Sequence, residues 1–188
     1  LQIPISVLFS LSIDAFNGVL SWLVPANYAL SLITLAVGIV TLGNIADATP
    51  TAFYGHSVER DNADELTRCL MDGRIDLLCG SGIREFTRRK DGIDLVGELE
   101  KQYDFVRSVD GIDAAKGKVI CIDEAMDDAA EEANLTLLAD ATRASIAKLQ
   151  ERGGDGFFLM VEGASVDKMS HPMDWDRALF ETIEFDHN

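Results

Sequence analysis

The stretch GFFLMVEGASVDKMSH, residues 156–171, sets an apolar run directly against charged side chains. The run FFLMV predicts a buried strand, and Glu162 stands where that strand ends. Small residues then allow the backbone to turn, and Asp167, Lys168 and His171 follow. Because Asp167 and His171 are four residues apart, one turn of helix would place both on the same face. The stretch therefore predicts a strand that brings candidate metal ligands to its carboxyl end.

Similar strands recur along the chain and alternate with helical segments. Further short apolar runs predict strands at residues 36–42, 75–82, 103–108 and 118–122. Apolar spacing and capping residues predict one helix that begins after the cap Thr49. They predict four more helices at residues 62–73, 95–102, 135–154 and 174–188. Strands that are apolar on both faces and alternate with helices indicate an α/β fold, a mostly parallel sheet with helices on both faces.

A second group of polar residues follows the first predicted strand. In the stretch ADATP, Asp47 and Thr49 stand at that strand's carboxyl end, which in a parallel sheet is the same edge as Glu162. Arg60 lies eleven residues beyond Thr49, and an arginine is suited to hold a phosphate through two hydrogen bonds. Carboxylate and imidazole ligands suit Zn²⁺, and further oxygen ligands suit Mg²⁺. Taken singly, each of these residues also has an ordinary explanation as a helix cap, an ion-pair partner or a surface side chain.

The charge balance excludes one class of partner. The 188 residues include 16 Lys and Arg against 32 Asp and Glu, a formal net charge of −16. This argues against nucleic-acid binding, which needs clustered basic residues. The acidity is typical of a solvated surface, of a salt-adapted or secreted protein, or of a protein that gathers cations. The three cysteines, Cys69, Cys79 and Cys121, form no metal-type pair.

The first 35 residues differ from the rest in composition. The mostly apolar segment 18–42 is long enough to raise the possibility of a membrane span, but Pro25 and Asn27 interrupt it and no basic residue flanks it. The start also lacks the basic residues of a signal peptide. We therefore expect an atypical apolar leader at 1–35 and an α/β domain at 36–188, with a membrane-anchored fragment as the alternative.

Two segments resemble alkaline phosphatases of the bacterial type. They are GIVTLGNIADATPTAFYGHSVER and GFFLMVEGASVDKMSH, and the second is close to the metal-site motif V-E-G-A-S-[IV]-D-K-x-x-H. Weaker similarity covers the stretches between them, so the resemblance runs from about residue 36 to residue 188. It implies the three-layer α/β sandwich of that family, incomplete here, and hydrolysis of phosphate monoesters with zinc and magnesium as cofactors.

The resemblance also implies metal ligands. Thr49 and Glu162 resemble ligands of the magnesium site. Asp167 and His171 resemble ligands of one catalytic zinc. In the family, two zinc ions would polarise the ester and generate the nucleophile.

The remaining matched residues resemble phosphate-binding groups. Arg60 corresponds to the arginine that grips two phosphate oxygens. Asp47 and Lys168 resemble a pair beside the magnesium that is linked to phosphate through water. Arg60 would then neutralise charge on the transferred phosphoryl group.

Other family features have no counterpart in these residues. The serine of a D-S-A-type motif and the aspartate of a G-D-G-M-type motif have no match in residues 1–35, and His187 matches no ligand motif. The family's later Asp-His pair and last zinc histidine would lie beyond Asn188. Because such groups act as a unit, we expect the chain alone to be inactive or nearly so.

Two alternatives and the wider context remain. The chain could be a non-catalytic remnant that holds Mg²⁺ or phosphate, or a gene fragment whose first 35 residues have no evolved role. By resemblance, the expected partner is a phosphate monoester or inorganic phosphate, the expected assembly a homodimer, and the expected location periplasmic or extracellular.

Overall fold

The computed structural model describes residues 35–127, 136–152 and 156–187. The described residues from Ala36 onwards belong to one compact unit. Of the predicted apolar leader at 1–35, residues 1–34 lie outside the described part, so its predictions stay untested. The three cysteines are all free thiols.

A single parallel sheet organises the described part of the chain. Its strands are β1 (Ala36–Asn44), β2 (Leu77–Ser81), β3 (Tyr103–Val106), β4 (Lys118–Ile122) and β5 (Phe157–Glu162). They lie in the order β3-β4-β2-β1-β5, and every pairing is parallel. The α/β fold predicted from the sequence is confirmed, and each of the five predicted strands is present.

Seven α-helices connect or flank the strands in the described ranges. They are α1 (Ala48–Tyr54), α2 (Ala63–Arg68), α3 (Arg84–Thr87), α4 (Leu95–Leu99), α5 (Leu137–Glu151), α6 (Ala164–Ser170) and α7 (Trp175–His187). Short 3₁₀ turns occupy Cys69–Asp72, Val109–Gly111 and Glu124–Met126.

Two helix predictions need correction. The prediction of Thr49 as a helix cap is wrong: α1 begins at Ala48, and Asp47 is the capping residue, with extended backbone angles and no side-chain capping bond. The chain leaves β1 at Asn44 and turns through residues 45–46, so the helix begins directly after Asp47. The helix predicted at 62–73 is shorter: α2 ends at Arg68, and a 3₁₀ turn carries the chain to Gly73, whose φ of 67° ends it in the left-handed conformation.

Two hydrophobic cores cover the two faces of the sheet. Along each central strand, alternate side chains enter opposite cores, as the period of two requires. Val40 packs with α5 residues such as Leu138 and Ala141 on one face. Ile39 packs with Leu99 and other residues of the α2–α4 region on the other. Double coverage explains why the central strands are apolar throughout, and it leaves chemistry to the strand ends.

The described residues give no support to a membrane span. In the described ranges, no helix is long and apolar enough to cross a membrane. Residues 36–42 of the possible span lie in β1, and a strand cannot also be a spanning helix. The remaining residues of that segment, 18–34, lie outside the described part.

A buried tyrosine secures the amino edge of the sheet, opposite the candidate site. The Tyr103 hydroxyl donates to the carbonyl oxygens of Leu70 and Ile75 at 3.2 and 3.1 Å. Only 4% of the residue is exposed. Burial, reinforced by the nearby Asp76 and Asp72 charges, raises the pKa of Tyr103 from 10.0 to about 12.

This shift predicts a loss of stability at high pH. Above pH 10 an unfolded tyrosine releases its proton, whereas Tyr103 in the folded chain keeps it until about pH 12. The stabilisation is therefore complete below pH 10 and is lost as pH rises to 12. In denaturant titrations from pH 8 to 12, the stability advantage of wild type over Tyr103→Phe should shrink by roughly 2 kcal/mol. A constant difference between the two proteins across this range would contradict the assignment.

Candidate active site

The pairing of β1 with β5 joins the two polar groups predicted from the sequence. In their parallel register Thr41 lies opposite Glu162. The segments that follow the two strands therefore leave the sheet at the same edge. There the Lys168 ammonium lies 2.8 Å from the Asp47 carboxylate. The ADATP and VEGASVDK segments are thus in direct contact.

The Asp47–Lys168 contact is a charge pair at a partly open position. The side chains are 40% and 35% exposed, but the Oδ2 atom of Asp47 is itself buried. Its neighbour of opposite charge in the described ranges is the Lys168 ammonium. At this exposure water screens much of the attraction.

Gly43 allows α6 to lie close to the end of β1. A Cβ atom built at Gly43 would lie 3.1 Å from the Ala164 Cβ and 3.6 Å from the Lys168 ammonium. A side chain there would push on α6 where Lys168 leaves it. The glycine therefore gives Lys168 room to reach Asp47.

Glu162 is held by a partner that the sequence reading missed. The Thr41 hydroxyl donates to the Glu162 Oε2 atom at 2.7 Å. Thr41 is fully buried, and it breaks the apolar run of β1. That break was the available signal, but the partner of Thr41 depends on the strand register, which the sequence does not show.

Asp167 and His171 lie on one face of α6 and its cap. The His171 Nε2 atom is 3.3 Å from the Asp167 Oδ2 atom, as the spacing of four residues predicted. Their side chains are 82% and 78% exposed. Exposure leaves their lone pairs available to a cation.

A cavity of about 220 Å³ lies beside Asp47 and Arg60. The Arg60 side chain is 79% exposed and pairs loosely with Asp61, with 3.4 Å between Nε and Oδ1. Asn44 and Glu85 also line the cavity. The Asn44 amide donates to Glu85 at 3.3 Å and its carbonyl accepts from the Ala46 backbone. Asn44, Asp61 and Glu85 were not among the predicted site residues.

A half-buried tyrosine, Tyr54, fixes α1 against the end of β1. The Tyr54 hydroxyl donates to the Ile45 carbonyl oxygen at 2.8 Å. Burial, followed by the charges of Cys69, Glu85 and Asp47, raises the pKa of Tyr54 well above its usual range. The hydroxyl therefore remains a donor at alkaline pH, and it holds the turn that carries Asp47.

The predicted residues do not all meet. Thr49 is exposed in the first turn of α1, and no contact joins it to Glu162 in the described part. Across the same residues, no group of three or more His, Cys, Asp or Glu side chains is arranged to hold a metal ion. The donor types fit the expected cations, since a hydroxyl and a carboxylate suit Mg²⁺ and a carboxylate and an imidazole suit Zn²⁺. With two candidate donors for each expected cation, the described residues would supply only part of each expected metal site.

Comparison with known proteins identifies the family. The sequence profile of the alkaline phosphatase family matches residues 32–188. This chain belongs to the alkaline phosphatase family. The resemblance carried by the ADATP and VEGASVDK segments is confirmed at the level of the family.

Curated relatives show how much of such a protein is matched. The chain is 30% identical over 165 residues to alkaline phosphatase 4, and 31% over 169 residues to alkaline phosphatase 3, both of Bacillus subtilis. Each match covers 80% of this chain and 34% of the relative. Streptomycin-6-phosphate phosphatase of Streptomyces griseus is 27% identical, covering 80% of this chain and 46% of that protein. The chain thus spans about a third of the length of the Bacillus relatives.

Solved structures share the fold. The alkaline phosphatase of the Antarctic bacterium TAB5 superposes with a TM-score of 0.75 at 24% identity, covering 85% of this chain and 48% of that one. The Thermus thermophilus alkaline phosphatase has a TM-score of 0.70 at 24% identity, covering 87% of this chain and 36% of that one. A histidine-to-glutamate variant of the TAB5 enzyme holds magnesium in its M3 site.

The partly exposed Asp47–Lys168 pair should contribute little to stability. We expect Lys168→Met to lower the free energy of unfolding by less than about 1 kcal/mol, because the pair is screened by water. The matched control is Lys148→Met. The Lys148 side chain is 6% exposed, and its ammonium donates to the Ala115 carbonyl and to Glu151, each at 2.7 Å. That change should cost about 2 kcal/mol.

Urea denaturation of the two variants measures both costs. A Lys168→Met cost equal to or above that of Lys148→Met would show that Lys168 serves the fold rather than the site.

Proposed function

We propose that this protein hydrolyses phosphate monoesters with the aid of divalent cations, and that the present residues supply the phosphate grip and part of the metal-binding edge. The observation that carries the proposal is the 2.8 Å contact between Asp47 and Lys168. It joins the two family segments at one edge of the sheet, beside the cavity that Arg60 lines. Family membership supplies the reaction class.

The charges around the cavity support a requirement for cations. Asp47, Asp61 and Glu85 carry three negative charges, against the positive charges of Arg60 and Lys168. A phosphate dianion entering this site alone would meet net repulsion. Added divalent cations would reverse the sign of the local potential.

Each group has a task in the proposed reaction. The Arg60 guanidinium binds two phosphate oxygens after release from its weak pair with Asp61. The Lys168 ammonium, held by Asp47, donates to phosphate through water. Glu162 with Thr49 would hold Mg²⁺, and Asp167 with His171 would hold Zn²⁺. The chemistry these cations supply when bound is polarisation of the ester and lowering of the pKa of a bound nucleophile.

We further propose that the 188 residues alone bind phosphate better than they turn it over. In the family resemblance, a serine nucleophile and further metal ligands belong to segments that find no match here, and such groups act together.

The alternative function, a non-catalytic module that holds Mg²⁺ or phosphate, predicts the same binding with no turnover in any setting. Export from the cytoplasm and pairing as a homodimer remain proposals from the family.

An arginine comparison tests the phosphate grip. Phosphate binding by the purified chain, measured calorimetrically with Mg²⁺ and Zn²⁺ present, should weaken about 10- to 100-fold in Arg60→Ala, because a charge-assisted pair of hydrogen bonds is lost. The matched control is Arg74→Ala. Arg74 is also exposed and also pairs with a neighbouring aspartate, Asp72 at 2.9 Å, but it lies outside the cavity.

Arg74→Ala should bind phosphate like wild type. Equal losses in both variants would contradict a specific role for Arg60. Rapid hydrolysis of p-nitrophenyl phosphate by the wild-type chain, absent in Arg60→Ala, would support the reaction class but overturn the proposal that the chain alone is nearly inactive.

Removal of cations provides a separate test. With EDTA in place of Mg²⁺ and Zn²⁺, phosphate affinity should fall at least about 10-fold, because the excess negative charge near the cavity then repels the phosphate dianion. The same calorimetric titration measures this change. Phosphate binding that is as tight in EDTA as with cations would contradict a metal-dependent site.

A further inference from the structure

We propose that Thr41 is a positioning residue, which orients the Glu162 carboxylate for a divalent cation. The inference rests on the proposed function, in which Glu162 contributes to the magnesium site. It assigns a role to a residue of β1 that carries no metal-binding group of its own.

The contact between the two side chains is short and well defined. The Thr41 hydroxyl donates to Glu162 Oε2 at 2.7 Å, the length expected for a hydroxyl donating to a carboxylate. The two residues are direct partners in the parallel register of β1 and β5. Their side chains therefore point to the same face of the sheet at the same level.

Thr41 is held more rigidly than a surface residue would be. It is fully buried, and it pairs in register with Glu162 of β5, whereas the register with β2 shifts between Val40 and Asn44. A β-branched side chain in a strand also has restricted rotation about χ1. The hydroxyl therefore has a nearly fixed position, whereas Glu162, at the end of an edge strand, has three rotatable bonds.

The hydrogen bond leaves the carboxylate able to bind a cation. It uses one lone pair of Oε2. Among the described residues, Oε1 accepts no hydrogen bond. The bond to Oε2 thus sets the direction in which Oε1 points. Hydrogen bonds to a metal-binding carboxylate raise metal affinity by orienting it in this way.

The position of Thr41 also ties Glu162 to the rest of the site. A Cβ built at Gly43, on the same face of β1, would lie 3.7 Å from the Thr41 hydroxyl and 3.6 Å from the Lys168 ammonium. The carboxyl end of β1 therefore lies under both Glu162 and Lys168. Thr41 positions Glu162 through a hydrogen bond, and Gly43 leaves the space that Lys168 occupies.

The test compares Mg²⁺ binding by wild type, Thr41→Val, Thr41→Ser and Glu162→Gln, using calorimetric titration of the 188-residue chain with MgCl₂. Valine keeps the shape of threonine and removes the hydroxyl, so Mg²⁺ affinity should fall about 10-fold. Serine keeps the hydroxyl and should restore affinity to within about twofold of wild type. Glu162→Gln should bind Mg²⁺ most weakly of the four.

The outcomes separate this inference from the proposed function. Thr41→Val that binds Mg²⁺ like wild type, while Glu162→Gln does not, would overturn the role of Thr41 and leave the proposed function standing. A Thr41→Val variant that loses stability in EDTA yet keeps its Mg²⁺ affinity would show a purely structural hydrogen bond, and would also overturn it. If wild type and Glu162→Gln both fail to bind Mg²⁺, the proposed metal site is wrong, and the cation role of Thr41 is overturned with it.

Discussion

The parallel pairing of β1 with β5 is the constraint on which the rest of the site depends. It sets Thr41 opposite Glu162 and sends the two segments that follow the strands to one edge of the sheet. A slip of one residue would turn Glu162 to the other face and separate it from Thr41. The two hydrophobic cores resist such a slip, because it would also exchange the residues that each core buries.

Two kinds of support converge on this edge. The part-buried hydrogen bonds are directional: the Tyr54 bond to Ile45 fixes α1, and the Thr41 bond to Glu162 fixes a carboxylate. The more exposed interactions, such as the Asp47–Lys168 pair, are weaker and easily rearranged. A site that exchanges phosphate and cations needs both kinds of interaction. The hydrogen bonds keep the backbone and the carboxylate in place, and the charged groups can change partners. The net charge of −16 favours the binding of cations at this edge of the sheet.

The sequence predicted the sheet well because its signals are local. Short β-branched runs such as KVICI gave their strand bounds directly, and double burial explained their composition. The predicted start of α1 was misplaced because Asp47, rather than Thr49, is the residue with extended backbone angles directly before the helix. The Thr41 contact could not be predicted, since Thr41 and Glu162 are 121 residues apart and meet only through the register. The roles of Thr49 and Arg60 came from resemblance to a family, and they stay predictions.

The central claim is that the segment from Asp47 to Arg60 and the segment from Glu162 to Lys168 form one phosphate site. Titration of the isotopically labelled chain with inorganic phosphate, in Mg²⁺ and Zn²⁺, tests it directly by following backbone amide resonances. One site predicts that amides of both segments shift together with a single dissociation constant. Shifts in one segment alone, or two different dissociation constants, would contradict it.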